Sequence, residues 1–270
     1  MNKTLKIIVL LFITLVANTA SASSDWDLYM LRLINRARLD PAGEAARIGS
    51  TIIDTRAPVP PLAYDSKIGL AAQNHNNWMH DNMGTLSAST LVPDSYSHYE
   101  TLNGLTDGVP ASGTPNFSGT ILGNRITAVG YNWNSIGENI LTQWSINPIS
   151  IDGARIDLYH KTWWDSPNGH RTNMLSPNFS AFGFTVENRS FVPPKGGVPA
   201  PIDNLIFATQ NFARSIQTPR TYIFGLLYID RDGSGTWNPR SSGDPLREGL
   251  TNVTYKIYTS GTETLVTSGA

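Results

Sequence analysis

Not one cysteine occurs in the 270 residues of this chain, although its first residues read as an export signal. Lys3 and Lys6 give a positive start. Ile7 to Ala17 is an apolar run of signal length, too short to span a bilayer, and Ala20-Ser21-Ala22 is a small-x-small cleavage site. Residues 1–22 are therefore set apart as a signal peptide, with a mature start near Ser23. Exported chains often lean on disulfides. Here neither a disulfide nor a cysteine-linked lipid anchor is available, so a hydrophobic core alone must hold the fold. No later segment is apolar for long enough to form a membrane helix, so no transmembrane anchor is expected after cleavage. The expected destination is the medium, the periplasm or the cell surface. A formal net charge of -1 provides no basic patch for phosphates and argues against a nucleic-acid partner.

Periodicity and capping residues divide the chain. Leu28, Leu31 and Ile34 recur at helical spacing in Asp27 to Arg38, and Asp40-Pro41 ends that helix. Asp40 can cap a second, short helix with Pro41 at its first position. Asp65 or Ser66 caps a third, whose one face carries Ile68, Ala72, His75 and Met79. From Gly84 to Tyr131 the composition predicts long loops with a short helix near Ile121 to Val129. Ile151 to Trp164 reads as another helix. Phe182 to Glu187 and Leu205 to Arg214 read as strands, joined through Pro193-Pro194-Lys195-Gly196-Gly197. Residues 215–220 form an expected linker, beyond which residues 221–270 turn to β-type texture. Strands are expected there at Tyr222 to Asp230, Val253 to Thr259 and Glu263 to Thr267.

The densest motif is His160 to Gly183, in which a helix ends at Trp164, Ser166-Pro167-Asn168-Gly169 turns, and His170 follows. Together with Gly137-Glu138-Asn139-Ile140 and Tyr96-Ser97-His98-Tyr99, it resembles the CAP superfamily of cysteine-rich secretory proteins, antigen 5 allergens and pathogenesis-related proteins (the SCP domain), in its cysteine-free bacterial type. The resemblance spans about Asp25 to Arg214. It implies an α+β fold, a three-layer α-β-α sandwich occupying residues 23–214. It also implies that His98 and His170 are two cleft histidines and that Glu138 is the cleft acid. Imidazole nitrogens are common zinc ligands, and a set of two histidines and one acid leaves coordination positions open. The same residues can equally hydrogen-bond one another in a polar network without metal.

One departure stands out. Many family members carry a second glutamate three residues after a helix tryptophan, whereas here Ser166 stands at that offset from Trp163. Asp165, beside it, is the candidate fourth cleft residue, although a shift of one position turns a helical side chain by about 100°. His75 and His80 are five apart and share no helix face; His75, on the apolar stripe, reads as a satisfied core histidine. His160 reads as able to face solvent and is given no role. Asn139, Arg171 and Asn173 read as supports for the loops that carry the histidines.

The tail resembles the start of a β-sandwich repeat of bacterial adhesins, so a small all-β segment is expected that either docks on the first domain or stops partway through its repeat. Asp230, Asp232, Ser234 and Thr236 are hard oxygen donors at alternate positions, a calcium-loop-like series to which Glu248 can reach back. The alternative is a Gly-rich hairpin turn that holds no ion. The combined reading is an exported CAP-domain binding module, with zinc or a small ligand in the cleft and calcium as a candidate in the tail. Alternatives are a zinc-dependent, peptidase-like hydrolase with Glu138 as general base and a lipid- or sterol-binding protein. The expected partner is correspondingly a small ligand, a lipid or a surface protein. The absence of Gly-x-Ser-x-Gly, of His-Glu-x-x-His and of any thiol narrows the catalytic options.

Overall fold

A computed structural model describes residues 25–82, 95–100, 121–145, 147–166, 169–191 and 202–216, with two backbone segments at 255–258 and 265–269. The expected signal peptide, the proline-glycine connection at 193–197 and the calcium-loop candidates Asp230, Asp232, Ser234, Thr236 and Glu248 lie outside the described residues.

Three of the helices start where an aspartate can cap them. Helix α1 (Asp25–Leu39) buries Met30, Leu31, Leu33, Ile34 and Ala37 along one stripe, with acids in its first turn and arginines in its last, as the helix dipole favours. Helix α2 (Pro41–Arg47) is capped by Asp40, whose carboxylate accepts from Gly43 N at 3.1 Å, and Pro41 occupies its first position. Strand β1 (Ala63–Tyr64) leads into α3 (Ser66–Asp81), capped by Asp65 accepting from Lys67 N at 2.9 Å. Helix α4 (Leu122–Ala128) is short. Strand β2 (Trp133–Ser145) precedes α5 (Gly153–Asp165), capped by Asp152. Helix α6 (His170–Met174) and strands β3 (Ala181–Phe191) and β4 (Ile202–Ser215) complete the unit.

The strands form one sheet in the order β1-β3-β4-β2, with β1 parallel to β3 and the other pairs antiparallel. Side chains alternate between its faces. Phe182, Phe184, Ile206, Ala208 and Phe212 face the core built by α1 and α5, which includes Trp163 and Trp164. Ala181, Ala213, Leu205 and Phe207 face the other way, toward α3 and α4. The result is the expected α-β-α arrangement, and burial of each large apolar side chain contributes roughly 1.5–3 kcal/mol. Backbone contact is closest where α3 crosses β3. A Cβ at Gly183 would lie 2.1 Å from Gly69 N and 2.4 Å from Ile68 C, so only glycine fits.

Two elements go beyond the sequence reading. Strand β2 is a 13-residue edge strand, yet its adjacent Glu138 and Asn139 are both buried and polar, which erases the apolar alternation of a half-buried strand. Helix α6 has five residues, too few for a period to show. In the tail, β5 (Tyr255–Tyr258) pairs antiparallel with β6 (Leu265–Gly269). Among the described residues this strand pair is all that falls in the expected all-β segment. No helix among them is long and apolar enough to cross a membrane.

Candidate functional site

Glu138 sits in β2 opposite Asn211 and points toward the α3–α4 side of the sheet. Its carboxylate is almost wholly buried and is surrounded by donors. Arg125 Nη2 straddles it, 2.8 Å from Oε1 and 2.7 Å from Oε2. His98 Nδ1 lies 2.9 Å from Oε1. With its amide nitrogen turned to the acid, Asn211 donates to Oε2 at 3.0 Å while its oxygen accepts from Ala72 N at 3.1 Å. Burial by itself would raise the carboxyl pKa. The charge of Arg125, joined by His75 and His98, outweighs burial and holds it well below the usual carboxylate range.

An ionised carboxylate only accepts hydrogen bonds, so His98 Nδ1 must carry a proton and donate it to Glu138. The His98 side chain is 37 % exposed, against 2 % for Glu138. Arg125 also donates from Nη1 to His98 O at 3.0 Å. A single guanidinium thus holds both the acid and the backbone of the histidine that the acid orients.

Arg125 escaped the sequence reading, although a signal was present: it falls between Leu122 and Val129 on the packed stripe of a short helix, where a charge implies a buried partner. His75 is fully buried, as its place on the apolar stripe implied, but its partners belong to this site. Nδ1 lies 3.0 Å from Glu100 Oε1, Nε2 lies 3.0 Å from Ser97 O, and Nε2 is 4.0 Å from Glu138 Oε1. The ring therefore ties residues 97–100, with His98 among them, to α3. His80 lies elsewhere, edge-on to Phe207 at 4.6 Å, and burial pushes its pKa down to about 4, so the ring is neutral.

His170 is placed from the other side of β2. Asn139 Nδ2 donates to His170 O at 3.1 Å and to Gln210 Oε1 at 2.8 Å. Asn173 Nδ2 donates to Asn139 Oδ1 at 2.8 Å and to Glu138 O at 3.1 Å. These asparagines support the histidine segment as expected. Arg171 does so too, donating to Trp164 O at 2.6 Å and to Asp54 Oδ2 at 3.0 Å.

The residue beside the His170 ring is Ser166, with Oγ 2.8 Å from Nδ1. Asp165, the sequence candidate, is turned away and bonds Ser50 Oγ and Lys161 Nζ, the latter at 2.6 Å. Asp165 is the last residue of α5, whereas its C-cap Ser166 is already extended (φ -67°, ψ 131°), so the two side chains part where the helix ends. His160 needs a second correction. It is fully buried, with Nε2 2.9 Å from Glu44 Oε1, and does not face solvent.

The structure joins His98 directly to Glu138, while His170 meets Ser166. Among the described residues no group of three His, Cys, Asp or Glu side chains could hold a metal ion. A zinc ion on Glu138 would have to displace Arg125, His98 or Asn211, since both carboxylate oxygens are already engaged. As arranged, these residues do not fit a resident zinc. The same engagement leaves Glu138 no lone pair with which to take a proton from water, the role that the hydrolase alternative requires.

Residues 31–191 match the model of the cysteine-rich secretory protein family, CAP. No curated protein and no solved structure matches at a significant level.

Proposed function

Because the chain belongs to the cysteine-rich secretory protein family, we propose that it is an exported binding module. Its presented group is His98, and it works without a resident metal. The observation that carries this is the saturation of Glu138. Arg125, His98 and Asn211 engage both of its oxygens, so the acid orients a ring and does not coordinate or abstract. His98 is partly exposed, and the bond between its Nδ1 and Glu138 fixes the orientation of the ring that meets a hydrogen-bonding small ligand.

The test uses the full mature chain. Histidine side-chain NMR follows His98 while short peptides, monosaccharides and disaccharides are added one at a time. A saturable shift at His98 that disappears in His98→Ala supports the reading. Peptide hydrolysis that stops on adding a chelator, and that is lost in Glu138→Gln, would overturn it in favour of a hydrolase.

A further inference from the structure

We infer that Arg125 is the resident cation of this site, and that it and a divalent metal ion are mutually exclusive occupants of one position. This rests on the reading of Glu138 given above. Arg125 Nη2 lies on both Glu138 oxygens at 2.7 and 2.8 Å, and its Nε is 3.6 Å from Glu100 Oε1. The same two carboxylates each hold a histidine: Glu138 holds His98 at 2.9 Å and Glu100 holds His75 at 3.0 Å. Two carboxylates and two imidazoles therefore surround one guanidinium. Those are ligand types that zinc accepts, but the positive centre among them is supplied covalently by α4.

Burial makes the cation necessary. The Arg125 and Glu138 side chains are 3 % and 2 % exposed, and Glu100 is 14 % exposed. Two carboxylates this far from water cannot both stay ionised once their cation is deleted. They must take up protons or another cation. A neutral side chain at position 125 removes the charge and vacates the guanidinium's space, into which the four ligand-type side chains can turn. With Arg125 present, an incoming metal meets a like charge and engaged lone pairs. Because Arg125 also holds His98 O at 3.0 Å, the charge that replaces a metal is also the strut that positions the histidine.

The experiment compares the full mature wild-type chain with Arg125→Lys, Arg125→Met, Arg125→Met/His98→Ala and His98→Ala. Each is melted in chelator and in zinc chloride, followed by circular dichroism. Wild type and Arg125→Lys are expected to show no zinc effect that depends on His98. Arg125→Met is expected to melt lower in chelator and to rise by about 5 °C or more with zinc, a rise lost in the double variant. If Arg125→Met is unfolded in chelator, recovery of helical signal on zinc addition carries the same meaning. An Arg125→Met protein indifferent to zinc, folded or not, overturns the exclusivity and leaves the role of Glu138 standing. A His98-dependent zinc effect in wild type overturns both.

Discussion

Glu44 and His160, 116 residues apart in the chain, meet in the core with Nε2 2.9 Å from Oε1 and neither side chain exposed. Arg36 grips the same carboxylate through Nε at 3.0 Å and Nη2 at 2.7 Å. The fold thus contains the trio of arginine, glutamate and histidine twice. In one copy the histidine is sealed and the trio locks α2 to α5. In the other, Arg125 and Glu138 are buried while the ring of His98 reaches the surface. Two copies of one arrangement, differing in the exposure of the histidine, separate a structural lock from a presented group.

The sealed copy has a pH signature. Burial would raise the Glu44 carboxyl, but hydrogen bonds and charge from His160 and Arg36 reverse this and hold it at about 2, below the ordinary 4.5. A depressed acid stabilises the fold fully above the unfolded value and loses that contribution as pH falls from about 4.5 toward 2. Glu44→Gln should be less stable than wild type by roughly 3 kcal/mol at pH 7. The gap should narrow as the medium is acidified through that window. Urea denaturation across pH 7 to 2.5 checks both the size and the direction.

Ser166 and Asp165 make opposite predictions for His170. Ser166→Ala removes the hydroxyl 2.8 Å from Nδ1 and should move the His170 side-chain resonances and their titration midpoint. Asp165→Asn loosens the link to Ser50 and Lys161 and should leave the His170 titration where it is. Equal effects from the two variants would contradict the placement of Ser166.

Gly183 tests how α3 is seated. A Cβ there meets backbone atoms of Ile68 and Gly69, which cannot rotate away. Gly183→Ala should cost about 3 kcal/mol by forcing α3 off the sheet. Since α3 carries His75, the His98 resonances should broaden or shift as well. A thermal melt and one histidine spectrum settle it.

Arg38 is a fully buried cation whose guanidinium bonds carbonyls of Pro60 at 2.8 Å, Met174 at 2.8 Å and Ser176 at 2.9 Å. Burial pushes its pKa down to about 10. Arg38→Met leaves those carbonyls without a donor and should destabilise the fold by roughly 3 kcal/mol. Arg38→Lys should recover only part, because an ammonium cannot reproduce the planar spread of donors. Urea midpoints of the three proteins make the comparison.

Much of the fold is legible locally. Asp40, Asp65 and Asp152 stand one residue before the helices they cap, and the apolar stripe of α1 is open to reading. Edge strand β2 is not, because the polar pair Glu138 and Asn139 that builds the site breaks the pattern that would reveal the strand. The site itself is spread over distant positions. His98 and Glu138 are 40 residues apart, and no spacing rule joins them; the family resemblance supplied that pair. It did not supply Arg125, which compensates the buried acid, nor Ser166, whose place beside His170 depends on the helix ending at Asp165. Polar partners are chosen by three-dimensional packing, so sequence patterns that find cores pass over them.

The protonation of His98 is the most direct test of the central claim that Glu138 orients the ring. Nitrogen-15 NMR of the histidine side chains at neutral pH should show a proton on His98 Nδ1, and Glu138→Gln should release that preference. A wild-type His98 with Nδ1 unprotonated, or one unchanged by Glu138→Gln, would contradict the claim.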